Sequence, residues 1–326
     1  MVDLRSLEPG CRVNEQLLVV EVDHRAYGEG RDCVILTFGN AGGRIASAPF
    51  WSERRSAVAG LVRGDPVEVV GEIRVYRARR QLEVWSIRAL PQEQVEWARL
   101  LPSVGDVGPY WGHLDRWRGA IAAPRLRQVL AVFYENPEFR AGFAACPASI
   151  AGHHAQLGGL LRHTYEVALI ARAIAEVSRA DRDLVTAGAL LHDIGKLESY
   201  TWRTGFAVTD AGSLLGHVVI GLLKLARGAE RVTGLTEREL LILQHLVASH
   251  HGRLELGAPV TPMTLEAEIL HFADDASAKS ASMADALADT ENFVGGDLVS
   301  VRALWQLDRR RAYRGVSDWG MAGTRK

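Results

Sequence analysis

The sequence predicts a multidomain chain in two structural classes, a small all-β barrel followed by an all-α helical bundle. Three observations predict it. Up to about residue 90, short apolar runs alternate with turn signals and no long helical period intervenes. Beyond that point the apolar residues recur every three or four positions. Nine of the eleven histidines fall between positions 153 and 271, inside the helical part.

At 326 residues the chain exceeds the usual size of one hydrophobic core. A 48% hydrophobic and 24% charged composition with net charge −1 is that of a globular protein. It disfavours a broadly basic nucleic-acid surface but leaves local patches open. There is no apolar run of about eighteen residues, so no membrane span is expected. The first residues, MVDLRSLEPG, lack the basic start and apolar core of a signal peptide. Cys11, Cys33 and Cys146 are odd in number and far apart. They read as free thiols in a reducing cytoplasm.

Five runs read as strands: QLLVVEVDHRAY, DCVILTF, GRIASAPFW, DPVEVVGEIRVYR and LEVWSIRAL. Gly28-Glu29-Gly30, Gly39 to Gly43, and Arg63 to Pro66 separate them as turns. Five strands at this spacing fit a Greek-key barrel of the OB type over residues 1–90. In its last hairpin Arg74, Tyr76, Arg77, Arg79 and Arg80 precede Trp85, and Trp51 can join the same face. Arginine interleaved with aromatic rings suits a single strand: charge for phosphate, flat faces for bases. The competing reading is a solvated hairpin with aromatics packed as core.

Residues 91–158 read as helices linking the barrel to the bundle. Pro124 suits a first helical turn, and Asn136-Pro137 separates two helices. Leu126, Val129, Leu130 and Phe133 are core positions. His153 and His154 then precede the next helix, where they either touch substrate or cap it.

From residue 159 to 313 the histidines and two aspartates come in order: His163, His192-Asp193, His217, His250-His251, Asp274. They lie on separate helices or helix ends. Neutral imidazole and carboxylate suit Mn, Fe, Co or Ni ions. A buried carboxylate costs several kcal/mol unless it is paired or coordinated, and Asp193 and Asp274 both follow apolar stretches. Seven such groups are enough for two divalent ions, with Asp193 bridging. Paired ions of this kind support in-line phosphoryl displacement by an activated hydroxide, without a side-chain nucleophile. Lys196 follows the His-Asp pair, placed either to neutralise a phosphate oxygen or as a helix-terminal charge.

The ordered set H…HD…H…HH…D resembles the HD-domain metal phosphohydrolases. The phrases GHHAQLGGLLRHT, LLHDIGKLESY, LLGHVVIG, SHHGRLELGAPVTPMTLEAEILHFADD and WQLDRRRAY resemble the YhaM-type 3'-5' exoribonucleases more closely, as do LTFGNAGG and the GEIRVYRARRQLEV hairpin. The resemblance implies an N-terminal OB domain joined to a C-terminal HD domain. It also implies degradation of single strands from the 3' end, usually with Mn2+. It assigns His163, His192, Asp193, His217, His250, His251 and Asp274 as ligands. Lys279, one of only four lysines, lies beside a ligand segment and is expected near the nucleic acid. Where the family carries a second Asp in a D-x-x-D-A-K phrase, this chain has Ser277 after Asp274. That departure falls on a contact around the ligands or with substrate, not on a ligand. Residues 314–326 match nothing in the family and read as a disordered tail.

The substrate is then single-stranded RNA or DNA, and no oligomeric state is implied. Two other functions remain compatible with the residues. One is a nucleotidase or cyclic-nucleotide phosphodiesterase, for which a strand-binding barrel is superfluous. The other is a non-catalytic single-strand-binding protein, for which seven ligand-type groups are superfluous.

Overall fold

A computed structural model describes residues 2–4, 6–27, 31–77, 79–202, 205–289, 292–293 and 297–315. The expected turn Gly28-Glu29-Gly30 and residues 316–326 of the expected tail lie outside them.

The N-terminal part is a six-stranded sheet: β1 (Arg12–Tyr27), β2 (Arg31–Asn40), β3 (Gly43–Ala46), β4 (Phe50–Trp51), β5 (Pro66–Tyr76) and β6 (Arg79–Ala89). Its order is β3-β2-β1-β5-β6, with β4 pairing β2, and these pairings are antiparallel. Alternate residues point inward, so Leu17, Leu36, Phe38, Ile73 and Leu82 are fully buried in one core. The two outer strands meet at a single parallel bridge, Ser47–Leu82, beside which the Ala48 N–H donates to the Leu82 carbonyl at 2.9 Å. No continuous ladder among the described residues closes the sheet.

The third expected strand is two short ones. Pro49 has no N–H to give a ladder. The buried Ser47 hydroxyl takes the Leu36 N–H at 3.0 Å instead.

After α1 (Trp97–Leu100) the chain is helical: α2 (Gly108–Gly119), α3 (Pro124–Tyr134), α4 (Pro137–Ala145), α5 (Gly159–Val177), α6 (Arg182–Leu191) and α7 (Lys196–Ser199). A two-stranded ribbon, β7 (Tyr200–Thr201) with β8 (Ala207–Val208), precedes α8 (Asp210–Ala229), α9 (Glu237–Ser249) and α10 (Leu265–Ala288). Pro124 opens α3 as expected, and Asn136 caps α4 by accepting from the Glu138 and Phe139 N–H groups. Thr236 and Glu239 form a capping box on α9.

The middle helices and the histidine-bearing helices share one core, in which Val129, Leu130 and Phe143 pack with Leu160, Leu190 and Leu246. The Tyr134 hydroxyl donates to the Leu190 carbonyl at 2.7 Å and ties α3 to the end of α6. Among the described residues no helix is long and apolar enough to cross a membrane. The cysteines are free, and burial raises the Cys146 thiol far above its usual range.

One close approach sets the position of α8. A Cβ on Gly195 would meet the His217 carbonyl oxygen and the backbone of Gly221. Only glycine lets the turn after α6 touch α8 this closely. Gly195→Ala is therefore expected to destabilise the fold by about 1–3 kcal/mol, measured by urea unfolding against the wild type. Unchanged stability would contradict this contact.

Candidate metal centre

The site forms where five segments end or cross. His163 lies on α5 and is fully buried. His192 is the C-cap of α6, and Asp193 follows it in the turn that leads to α7. Gly216 breaks α8 at φ +73°, one residue before His217. His250 and His251 follow the last turn of α9, and Asp274 projects from α10.

These seven side chains converge. Two groups of three lie together, His163 with His192 and Asp274, and His217 with His250 and His251, each with ligand atoms within 4.8 Å of one another. The Asp193 carboxylate sits between the groups. Its Oδ2 is 3.1 Å from His192 Nε2 and 3.5 Å from His163 Nε2. Its Oδ1 is 3.4 Å from His217 Nε2 and 3.8 Å from His250 Nε2.

The far nitrogens of three rings show how they are oriented. His192 Nδ1 lies 2.8 Å from the Ala189 carbonyl, His250 Nδ1 2.7 Å from Val247, and His251 Nδ1 2.8 Å from Leu256. A carbonyl only accepts, so each Nδ1 carries the proton and each Nε2 turns its lone pair inward. His163 differs: its Nδ1 faces the Ser277 hydroxyl at 3.0 Å.

Protonation follows from burial. It pushes His163 and His250 below the imidazole range, and His217 to about 3. His192 goes the other way, because the Asp193 charge outweighs burial. Burial opposes ionisation of Asp193 and Asp274 as well. The Lys196 charge overcomes it at Asp193, and the adjacent His163 ring overcomes it at Asp274. The centre is thus an ionised pair of carboxylates among mostly neutral imidazoles.

Three atoms in it are buried without a hydrogen-bond partner: Asp193 Oδ1, His217 Nε2 and His250 Nε2. Each unpaired group costs about 1–3 kcal/mol. The Asp193 oxygen and the His250 lone pair are acceptors, and with the unpaired His217 nitrogen beside them the space suits a divalent cation and not an apolar ligand.

The other expected residues are placed as follows. Lys196 opens α7, buried, with its ammonium 2.6 Å from Asp193 Oδ2. Its charge faces Asp193. His154 is only 4% exposed, and its Nε2 is 2.8 Å from Glu166; the neighbouring His153 instead has a buried, unpaired Nε2. Lys279 is on the surface, paired with Asp275 at 3.0 Å, and is outside the cluster.

In the β5–β6 hairpin, Arg74, Tyr76, Arg77 and Arg79 are exposed. Arg74 lies 3.3 Å from Glu72, and Arg77 turns at φ +49° with its guanidinium over Tyr76. Arg80 folds back on the Leu7 carbonyl at 3.0 Å. Trp85 and Trp51 are 46% and 37% exposed, whereas Phe50 is core. Arg12, which the sequence did not single out, sits over Trp85 at 5.7 Å. Glu166 was also missed; its signal was the three-residue spacing from His163, which puts both on one face of α5.

Two outcomes are expected of the purified protein. A divalent ion at about 100 times its Kd should stabilise it by about 2.7 kcal/mol, and Asp193→Ala should abolish that gain in thermal unfolding. Stabilisation that persists in the variant would contradict the site. For the ion-free protein, His153 and His217 fall from 6.5 unfolded to about 3 folded, so the unfolded chain binds more protons between those values. Stability should therefore decline as pH falls through that window, with His192 acting in the opposite sense. A profile that rises toward acid would contradict the burial of these rings.

Comparison with known proteins adds a family to this geometry. Residues 160–279 match the HD domain family. The chain is 32% identical over 283 residues to the 3'-5' exoribonuclease YhaM of Bacillus subtilis, covering 86% of this chain and 89% of that protein. It is 31% identical over 291 residues to YhaM of Bacillus pumilus, covering 87% and 90%. It is 30% identical over 312 residues to YhaM of Bacillus licheniformis, covering 95% and 96%. No solved structure matches. A histidine–aspartate cage on an HD-domain scaffold, behind a β-sheet domain and matched along nearly the whole length of these proteins, is one answer reached twice: the chain belongs to the YhaM family of 3'-5' exoribonucleases.

Proposed function

We propose that this protein is a metal-dependent 3'-5' exoribonuclease that hydrolyses the terminal phosphodiester of single-stranded RNA. The observation that carries the proposal is the convergence of five imidazoles and two carboxylates with three orphaned polar atoms between them. The names of its relatives support the substrate and the polarity.

His163, His192 and Asp274 would hold one ion, and His217, His250 and His251 a second, with Asp193 shared. The donor set accepts Mn, Fe, Co or Ni ions, and among these the resemblance to the YhaM-type enzymes favours Mn2+. Divalent cations in such a cage supply Lewis-acid activation and charge stabilisation for phosphodiester hydrolysis.

The chain's own groups do the rest. His163, His192, Asp193 and His250 are buried to within 1%, and form a dry, rigid floor. Asp274 and His217 retain 15% and 16% side-chain exposure, so the RNA end enters on their side. Lys196 keeps Asp193 ionised and fixes its Oδ2, which aims Oδ1 into the cage.

The sheet is the proposed strand holder, an OB-type barrel over residues 1–90. Its strand order and the parallel Ser47–Leu82 bridge support that assignment. Helices of 91–158 then brace the HD part of 159–313. Exposed Trp85, Trp51 and Tyr76, with Arg12, Arg74, Arg77 and Arg79 beside them, offer stacking faces and phosphate contacts.

Incubated with Mn2+, 5'-labelled single-stranded RNA is expected to give a ladder shortening from the 3' end, and Asp193→Ala none. Absence of shortening, or equal shortening by the variant, would overturn the proposal. Trp85→Ala is expected to raise KM by about the 1–3 kcal/mol of one lost base stack with little change in kcat. An unchanged KM in steady-state assays on long strands would remove the barrel from substrate binding.

A further inference from the structure

We infer that Glu166 and Ser277 form a hydroxyl-bridged relay that fixes the orientation and tautomer of His163, which makes Glu166 a positioning residue for the metal centre. The inference rests on the proposed reading of that centre as a cation site.

The far nitrogen of His163 departs from the pattern of three other rings. His192, His250 and His251 each donate Nδ1–H to a backbone carbonyl three to five residues away along their own chain segment. His163 Nδ1 instead meets the Ser277 hydroxyl, on a different helix, at 3.0 Å. Ser277 Oγ lies 2.9 Å from Glu166 Oε2. Glu166 returns to α5, one helical turn beyond His163, as Ser277 lies one turn beyond Asp274 on α10. The relay is thus built from the i, i+3 neighbours of two ligands and stitches α5 to α10.

The direction of its hydrogen bonds follows from donor counts. Glu166 is a carboxylate: burial opposes this, but hydrogen bonds from His154, Arg162 and Ser277 hold it down to about 2. Arg162 Nε donates to Oε1 at 2.9 Å, and His154 Nε2 lies 2.8 Å from Oε2. A carboxylate only accepts, so the single Ser277 proton goes to Glu166. The hydroxyl oxygen then accepts Nδ1–H from His163. The lone pair of His163 Nε2 is thereby aimed at the cage, 2.9 Å from Asp274 Oδ1, where two acceptors in contact require a positive charge. A carboxylate behind a ligand imidazole raises its basicity and fixes its ring; here the hydroxyl transmits that effect.

An alternative is that Glu166 only pairs with Arg162 and His154. Ser277→Ala separates the two, because it cuts the relay and leaves both pairs in place. The test is titration of ion-free, full-length protein with Mn2+, read as free Mn2+ by electron paramagnetic resonance, without RNA. Glu166→Gln and Ser277→Ala are each expected to weaken binding about 10- to 100-fold. The double variant should bind no more weakly than either single one, since the two groups act in series. Ser277→Asp in the Glu166→Gln background places a carboxylate directly on His163 Nδ1 and should restore most of the affinity. Nitrogen-15 spectra should show His163 protonated at Nδ1 in the wild type, with that preference lost in Ser277→Ala. Wild-type affinity in Ser277→Ala, or losses that add in the double variant, would overturn the relay and leave the exoribonuclease reading intact. A wild-type protein that binds no Mn2+ would overturn the cation site, and the relay with it. Should Glu166→Gln not fold, as its ion-free melting would reveal, Ser277→Ala alone decides the matter, since it removes one hydroxyl.

Discussion

The rest of the structure depends on the buried carboxylate of Asp193. A carboxylate with 1% exposure is costly unless compensated. Its compensation here is lopsided. Oδ2 has the Lys196 ammonium and the His192 imidazole, while Oδ1 has no partner and faces His217 and His250. That asymmetry demands a cation on one side, and every neighbouring element is shaped by it. The turn after α6 must place Asp193 inward, Gly195 must let α8 approach, and Gly216 must break α8 so that His217 faces the same space.

The same interaction explains why the helical part needs so much framework. Two groups of ligands from five segments must be held to within tenths of an ångström, and only a packed core does this. The middle helices contribute to it directly: Leu114, Ile121, Val129, Leu130 and Phe143 are buried in the core that also contains Leu160, Leu190 and Leu246. The sheet has a separate core, centred on Leu17, Phe38, Ile73 and Leu82. It can present Trp85 to solvent because the neighbouring Val84 already fills that core, and Tyr76 lies beyond Ile73, the last buried position of β5. The histidine–aspartate cluster and the exposed aromatics of the sheet thus rest on different cores.

Much of this was legible in the sequence because the chemistry restricts residue type. Imidazoles and carboxylates at seven ordered positions are the residue types a cation site needs, and the fold brings these seven together. Strand alternation, Pro124, Asn136 and the Thr236–Glu239 cap announce local structure in the same way. What was not legible depends on three dimensions. The third strand breaks because Ala48 and Ser47 find partners on β6 and β2, which no local pattern shows. Lys196 looked free to meet a phosphate, yet the turn brings its ammonium onto Asp193. His154 looked available to a strand, yet it is buried against Glu166 while His153 keeps the unpaired nitrogen. Glu166 and Ser277 are 111 positions apart, and only the packing of α5 on α10 makes them neighbours.

The decisive property of the cluster is where it places cations. Crystals of the full-length protein grown with Mn2+ and measured at the manganese absorption edge give the most direct answer. Anomalous peaks should lie beside Asp193, between the His163–His192–Asp274 and His217–His250–His251 groups, and disappear in Asp193→Ala crystals. Peaks confined to the surface, with the seven side chains pointing at one another and nothing bound between them, would contradict it.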